Sequence, residues 1–322
     1  TGAGIRMMVF RFCPGMTVGI NFSMRDSMTT ITFGNGTIRE IPSSWEELTA
    51  KEIRRIVKTY YRCMAEGKSL LEFNVRVLFY FLGIDHDWRS IVWERLHPEA
   101  AKDRDANIYM LCERCLGWLF SDGEGGGLAF SSLVNALPTF RTGFCGRRWI
   151  GPADGLTDIS FGEFRRAATA LNAFFKSQRS DDLDECIAFL YRPRNRKANK
   201  SGRKVRGVTP EGLARDKRHI ARLAAWKKGL IALWFAACVK FVQSATIHID
   251  GEDIDMGRLY SGEGTEKGEF AFSWNDLLIE VAKEQSIGSM ERVDEEPLYS
   301  VFVIMWHNYK ERKRLEWRSS QT

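Results

Sequence analysis

Ser160-Phe161-Gly162-Glu163-Phe164-Arg165-Arg166-Ala167-Ala168-Thr169-Ala170-Leu171-Asn172-Ala173-Phe174-Phe175 is the stretch on which the fold class turns. Ser160 and Glu163 stand at the spacing of a capping box, in which a hydroxyl and a carboxylate satisfy amides that the first turn of a helix leaves free. Phe164, Ala168, Leu171 and Phe175 then recur at steps of three and four, so they share one face of a helix. Working outward, the same chemistry repeats. Ser44 with Glu47 forms a capping box ahead of Ile53, Ile56, Val57, Tyr60 and Met64. A shorter helix from Asp181 or Asp182 to Tyr191 ends at Pro193, where the missing amide donor stops it. Thr209-Pro210 is a cap followed by a first-turn proline, leading to the apolar stretch of residues 226–242. Two last helices are predicted over residues 274–283 and 297–314.

Strand signals are few. Thr30 and Thr32, then Gly34-Asn35-Gly36, then Thr37, Ile38 and Arg39 read as a β-hairpin with a turn that demands positive φ. Residues 246–249 and 270–272 are the other candidates. The chain is therefore predicted to be mostly α, a multi-helix protein with a short N-terminal β-hairpin and a few minor strands. The predicted organisation is a hairpin over 28–41, a first helical unit over 42–121 and a glycine-rich irregular connection over 122–158. A helical pair over 159–191, a basic linker over 192–208, a second helical unit over 209–318 and a tail over 319–322 follow. Residues 1–27 show no sustained periodicity and are read as a non-native or disordered extension, with Met28 as the natural start.

At 322 residues, 44% apolar and 27% charged, the chain has enough material for one large core or two smaller ones. No stretch reaches about 18 uninterrupted apolar residues, so a soluble protein with no membrane span is expected. The seven cysteines are odd in number and scattered, which favours reduced thiols. Cys112 and Cys115 form a C-x-x-C inside a helical pattern, with no second Cys/His pair at zinc-site distance, and read as core packing. The five histidines are isolated from one another, and no metal site is expected.

The glycine clusters DGEGGG (122–127) and GEGTEKG (262–268) complete neither a phosphate-binding loop nor a dinucleotide fingerprint, so no cofactor is implied. Asp250, Glu252 and Asp255 fall short of a calcium loop and read as an acidic turn. The adjacent carboxylates Glu46-Glu47, Asp181-Asp182 and Glu295-Glu296 lie near helix starts, where acids meet the positive dipole end. Neighbours on a helix do not face each other, so these are not acid/base pairs. No nucleophile motif is present, and no enzyme is expected.

The sharpest charge feature is RPRNRKANKSGRKVR (192–206), with eight basic residues and no acidic one. Removing those eight charges from the net +6 leaves the rest of the chain at −2. Three readings stay open: a solvated loop, contact with nucleic acid or another polyanion, and contact with an acidic protein partner. The candidate contact residues are Arg192, Arg194, Arg196, Lys197, Lys200, Arg203, Lys204 and Arg206. The segment holds no aromatic residue for base stacking. A second basic stretch, KERKRLEWR (310–318), reads as the exposed end of the last helix.

Several segments together resemble structural or tail-assembly proteins of tailed bacteriophages and prophages. They are Ile41-Pro42-Ser43-Ser44-Trp45-Glu46-Glu47-Leu48-Thr49, Ile159-Ser160-Phe161-Gly162-Glu163-Phe164 and Cys186-Ile187-Ala188-Phe189-Leu190-Tyr191-Arg192-Pro193. Trp274-Asn275-Asp276-Leu277-Leu278, Ser286-Ile287-Gly288-Ser289 and Pro297-Leu298-Tyr299-Ser300-Val301 complete the set, in order along most of residues 28–314. The resemblance implies a non-enzymatic role in virion morphogenesis, as a tail-assembly chaperone or a minor tail or structural component. It implies a tail-tube or tape-measure protein as partner, and a place in the bacterial host cytoplasm during assembly or in the virion. Ten tryptophans and 21 phenylalanines suit protein-protein contact, although most such rings belong in a core. The alternative is a nucleic-acid-binding protein that uses residues 192–206.

Overall fold

The computed structural model describes residues 7–13, 16–21, 24–25, 28–32, 36–84, 98–120, 127–142, 146–249, 252–260 and 289–319. The protein is mostly α, with short strands in small sheets. Its chain divides into two compact units, Thr1–Ser132 and Leu133–Thr322, so the division falls inside the stretch read from sequence as a glycine-rich connection.

In the first unit, β1 (Met7–Cys13) pairs antiparallel with β2 (Met16–Asn21), within the stretch read from sequence as an extension lacking periodicity. β3 (Met24–Arg25), β4 (Met28–Thr32) and β5 (Ile38–Ile41) form a three-stranded sheet. The β4–β5 pairing, Thr29 with Ile41 through Thr32 with Ile38, is the expected hairpin. Gly36 has φ +80°, the conformation that favours glycine there, while Gly34 and Asn35 lie outside the described residues.

Helices α1 (Ala50–Ala65), α2 (Leu70–Leu82) and α3 (Pro98–Leu116) follow among the described residues of the unit. The start of α1 corrects the sequence reading. Its cap is Thr49, whose hydroxyl accepts from the Glu52 amide while the Glu52 carboxylate accepts from the Thr49 amide at 2.8 Å. Glu47 serves the turn before it, accepting from the Ser43 amide at 2.7 Å. Ile53, Ile56 and Val57 are buried, whereas Met64 is exposed. Trp45 is buried against the rings of Phe130 and Trp118, at 4.7 and 5.7 Å.

The second unit is built on α4 (Phe161–Ser177) and α5 (Ser180–Leu190), which pack together, with α6 (Pro210–Ile220) and α7 (Ala225–Ser244) against α5. The hydroxyl caps follow the sequence, the Ser160 hydroxyl accepting from the Glu163 amide and the Thr209 hydroxyl from the Gly212 amide behind Pro210, but the Glu163 carboxylate turns to Arg192 and Arg203 and does not complete the expected capping box. Phe164, Ala168 and Leu171 are buried, but Phe175, expected on the same face, is exposed in the last turn of the helix. Short strands β6 (Thr139–Arg141), β7 (Arg148–Ile150) and β8 (Arg192–Pro193) form a sheet in the order β6-β7-β8.

Within the stretch expected to be an irregular connection, the described residues from Leu133 onward carry β6, β7 and a short 3-10 turn at Asp154–Leu156, with irregular backbone between them. Asn135 anchors it, donating from Nδ2 to the Pro152 carbonyl at 2.6 Å and accepting at Oδ1 from the Leu137 amide at 3.0 Å. The buried Tyr191 hydroxyl lies 3.0 Å from both Asn135 Oδ1 and the Leu137 carbonyl.

β9 (Thr246–Ile249) is the expected strand, and it pairs with β10 (Glu252–Asp255). Glu252 and Asp255 are therefore strand residues, which corrects their acidic-turn reading, and Asp250 lies outside the described residues. Helices α8 (Met256–Tyr260), α9 (Met290–Glu295) and α10 (Leu298–Ser319) end the described chain. The helix expected over 274–283 and the strand expected over 270–272 lie outside the described residues. The α9–α10 junction is joined to the start of α4. The Phe161 amide donates to the Glu296 carbonyl at 2.9 Å, and the Leu298 amide to the Ile159 carbonyl at 3.0 Å. Gly162 makes this approach possible, because a Cβ there would sit 2.7–2.9 Å from Asp294 atoms. Among the described residues, no helix is long and apolar enough to cross a membrane.

Candidate functional site

The basic segment 192–206 is a folded excursion rather than an open linker, and this corrects its sequence reading. Arg194 bridges Val205, the Asn195 amide donates to the Lys204 carbonyl at 2.9 Å, and the Arg206 amide donates to the Pro193 carbonyl at 3.1 Å. The turn closes through Asn199, whose Oδ1 accepts from the Arg203 amide at 2.8 Å, and through Gly202 at φ +83°. Local amide and carbonyl partners of this kind offset the entropy of ordering a charged segment.

Four of its eight cations are met by carboxylates. Arg192 and Arg203 are 4% and 3% exposed, and both donate to Glu163, itself buried on the first turn of α4. Arg192 uses Nη2 toward Oε1, and Arg203 uses Nη1 toward Oε2 at 3.0 Å. Arg203 also donates from Nη2 to the Ile150 carbonyl at 3.0 Å and to the Leu190 carbonyl. Arg206 pairs with the buried Asp216 of α6. Lys200 meets Glu295 at 2.9 Å and Glu296 at 3.4 Å on the exposed surface. Burial pulls the Arg192 guanidinium below its ordinary value, while Glu163 beside it acts in the opposite direction. Arg194, Arg196, Lys197 and Lys204 are exposed, with no carboxylate partner among the described residues.

Beside this excursion runs a furrow made of two adjoining cavities of about 650 and 410 Å³ that share Arg147 and Pro193. Arg141 and Arg147 line the larger cavity from the β6–β7 side, and Arg215, His219, Arg222 and Lys227 from α6 and the start of α7. Arg148 and Arg194 line the smaller one. Asp216 is the acid among these lining residues, and Arg206 already occupies it. Of the predicted contact residues, the furrow takes in Arg194 and Arg206. The others face elsewhere or are buried. Its remaining cations come from three separate stretches, Arg141, the adjacent Arg147 and Arg148, and Arg215 with Arg222 and Lys227, so no single charge run marked them in the sequence.

The other sequence candidates resolve into structural roles. Cys112 and Cys115 are buried, and burial pushes their thiols up, to about 12 and about 11. Asp181 accepts from Lys217 at 2.9 Å, Asp182 from the Ser177 hydroxyl at 2.5 Å, and Glu46 from the Ser131 hydroxyl at 2.6 Å. Among the described residues, no group of three or more His, Cys, Asp or Glu side chains converges as a metal site would. Compared with known proteins, the chain matches no family model, no curated protein and no solved structure.

Proposed function

We propose that the chain is a non-enzymatic virion-morphogenesis protein of a tailed phage or prophage, a tail-assembly chaperone or minor tail component that acts through protein-protein contacts. The observation that carries this choice over the polyanion alternative is the internal neutralisation of residues 192–206. Arg192, Arg203, Arg206 and Lys200 already have carboxylate partners, so half the charge that a phosphate-binding segment would use is committed to holding the second unit together. Placement of the resembling segments supports the same reading. Residues 159–164, 186–193 and 297–301 lie far apart in sequence yet meet at one junction, through the Ser160–Pro297 bridge and the Glu163–Arg192 pair. Such residues are held by packing demands rather than by chance composition.

The test is co-expression with tail-tube and tape-measure proteins from the same prophage, followed by affinity recovery at low and at high salt. Salt-resistant recovery of either protein is expected, because contacts made by apolar and aromatic groups are not screened. Recovery of neither at any salt overturns the assignment.

A further inference from the structure

The geometry points to the furrow between the β6–β7 strands and the α6–α7 junction as a binding site for phosphate groups, carried either by a free phosphate ester or by a nucleic-acid strand. Charge is the first argument. Arg141, Arg147, Arg215 and Arg222 have no carboxylate partner among the described residues, and the one lining acid is already paired. Arg141 and Arg148 stand directly opposite each other on the β6–β7 ladder, an arrangement of like charges that is unfavourable without a counter-anion. A group of cations held together by strands and helices, with no anion of its own, is a site whose electrostatics are completed by a ligand.

Residue type narrows the class. Arginine forks match the paired oxygens of phosphate in a way that a point-charge lysine does not, and arginine dominates this lining. The furrow also lies at the start of α7, a 20-residue helix whose cap residue, Ala224, makes no side-chain cap hydrogen bond. That end carries the positive pole of the helix and adds to the field of the arginines. Trp149 forms part of the wall but is only 1% exposed, so it offers no open face for base stacking. The lining offers cations rather than open tryptophan, tyrosine or phenylalanine faces, so phosphate is the group recognised, and the larger cavity falls in the size range of small-ligand sites.

This goes beyond the assembly reading, and separate assays decide the two: phosphate binding is measured on the purified chain, tail-protein recovery in cells. A fluorescein-labelled twelve-residue oligo-dT is titrated at 50 and 200 mM salt, with pyrophosphate, adenosine 5′-diphosphate and polyglutamate as competitors. The variant is R147E/R222E, two exposed side chains outside the buried ion pairs, and R196S/K197S is the control on the basic segment. The expected result is salt-dependent binding, displaced by pyrophosphate, that falls at least tenfold in R147E/R222E and less than twofold in the control. On the strand, losing two contacts also lowers the salt slope by about 1.4.

Oligo-dT much tighter than the diphosphate identifies a strand as the occupant, and comparable affinities identify a free phosphate ester. Absence of binding by every probe, equal affinity in R147E/R222E, or displacement by polyglutamate but not pyrophosphate overturns the proposal. Should charge reversal lower the yield of folded protein, R147S/R222S carries the same test, with circular dichroism as the folding check.

Discussion

Replacing Glu163 with Gln removes one negative charge while keeping shape and an acceptor oxygen, and it leaves two buried guanidinium groups facing each other. Their side chains are 4% and 1% exposed, so water cannot take over the lost role. Breaking a buried ion pair by removing one partner costs about 3–5 kcal/mol. That is a large share of the roughly 5–15 kcal/mol that stabilises a typical domain. For a unit of about 190 residues, it corresponds to a fall in melting temperature of about 6–20 °C.

The triple variant E163L/R192M/R203M separates the charge term from packing, because apolar replacement of a whole buried ionic cluster is often close to neutral. Here it should recover only part of the loss. Arg203 also serves the Ile150 and Leu190 carbonyls, and leaving those unpaired costs about 1–3 kcal/mol each. Urea denaturation gives the stabilities, and limited tryptic digestion reports on the excursion, whose exposed Arg194, Arg196, Lys197 and Lys204 become cleavable when Glu163 no longer holds it. A loss below about 1 kcal/mol in E163Q, with an unchanged tryptic pattern, refutes the claim that Glu163 anchors this segment.

Three further outcomes follow from the packing. Gly162→Val should destabilise the chain by several kcal/mol and loosen the α4–α9 junction, since the added atoms collide with Asp294; thermal melts that match the wild type would contradict that close approach. Cys63, Cys112, Cys115, Cys186 and Cys238 are buried, so in a C13S/C145S background a thiol reagent should label nothing until denaturant is added, and a fast native phase would count against this core. Burial pushes Cys112 to about 12, Cys115 to about 11 and Tyr299 to about 12, each above its unfolded value near 9.0 or 10.0. Their neutral forms are favoured in the folded state, so that stability is complete below about pH 9 and is lost as pH rises toward those folded values, at about 1.4 kcal/mol per pH unit per group. Urea midpoints at pH 8 and 10.5 should differ clearly, and equal midpoints would reject it.

What could be read from sequence was the chemistry that acts within one turn of a helix. Ser160, Thr209-Pro210 and Pro193 marked their helix ends because capping, first-turn proline and helix termination are local effects. Ser44 misled because two successive patterns, Ser44 with Glu47 and Thr49 with Glu52, satisfy the same spacing, and only the three-dimensional path selects the second. Phe175 misled because helical periodicity records which face points inward but not where the covering element stops. The basic segment misled for a different reason. Composition counts charges, while their availability depends on counter-ions that lie 29 and 40 residues away at Glu163, 10 away at Asp216 and 96 away at Glu296.

That distinction changes how the function of residues 192–206 can be probed. The obvious experiment on a basic run is to neutralise all of it and look for lost binding. Here such a variant would remove Arg192 and Arg203 from Glu163 and Arg206 from Asp216, leaving two buried carboxylates without partners on two different helices. Uncompensated buried charge is among the few single-site causes of loss beyond about 4 kcal/mol, so the variant would lose binding by losing its fold. The informative perturbation is the smaller one, restricted to Arg194, Arg196, Lys197 and Lys204, whose side chains are exposed and unpaired among the described residues. If the cations of the excursion serve only to close it, this fourfold neutralisation should leave stability within about 0.5 kcal/mol and leave tail-protein recovery unchanged. A folded fourfold variant that recovers no tail protein would place the partner contact on the exposed face of the excursion, and would make the segment an acidic-partner site after all.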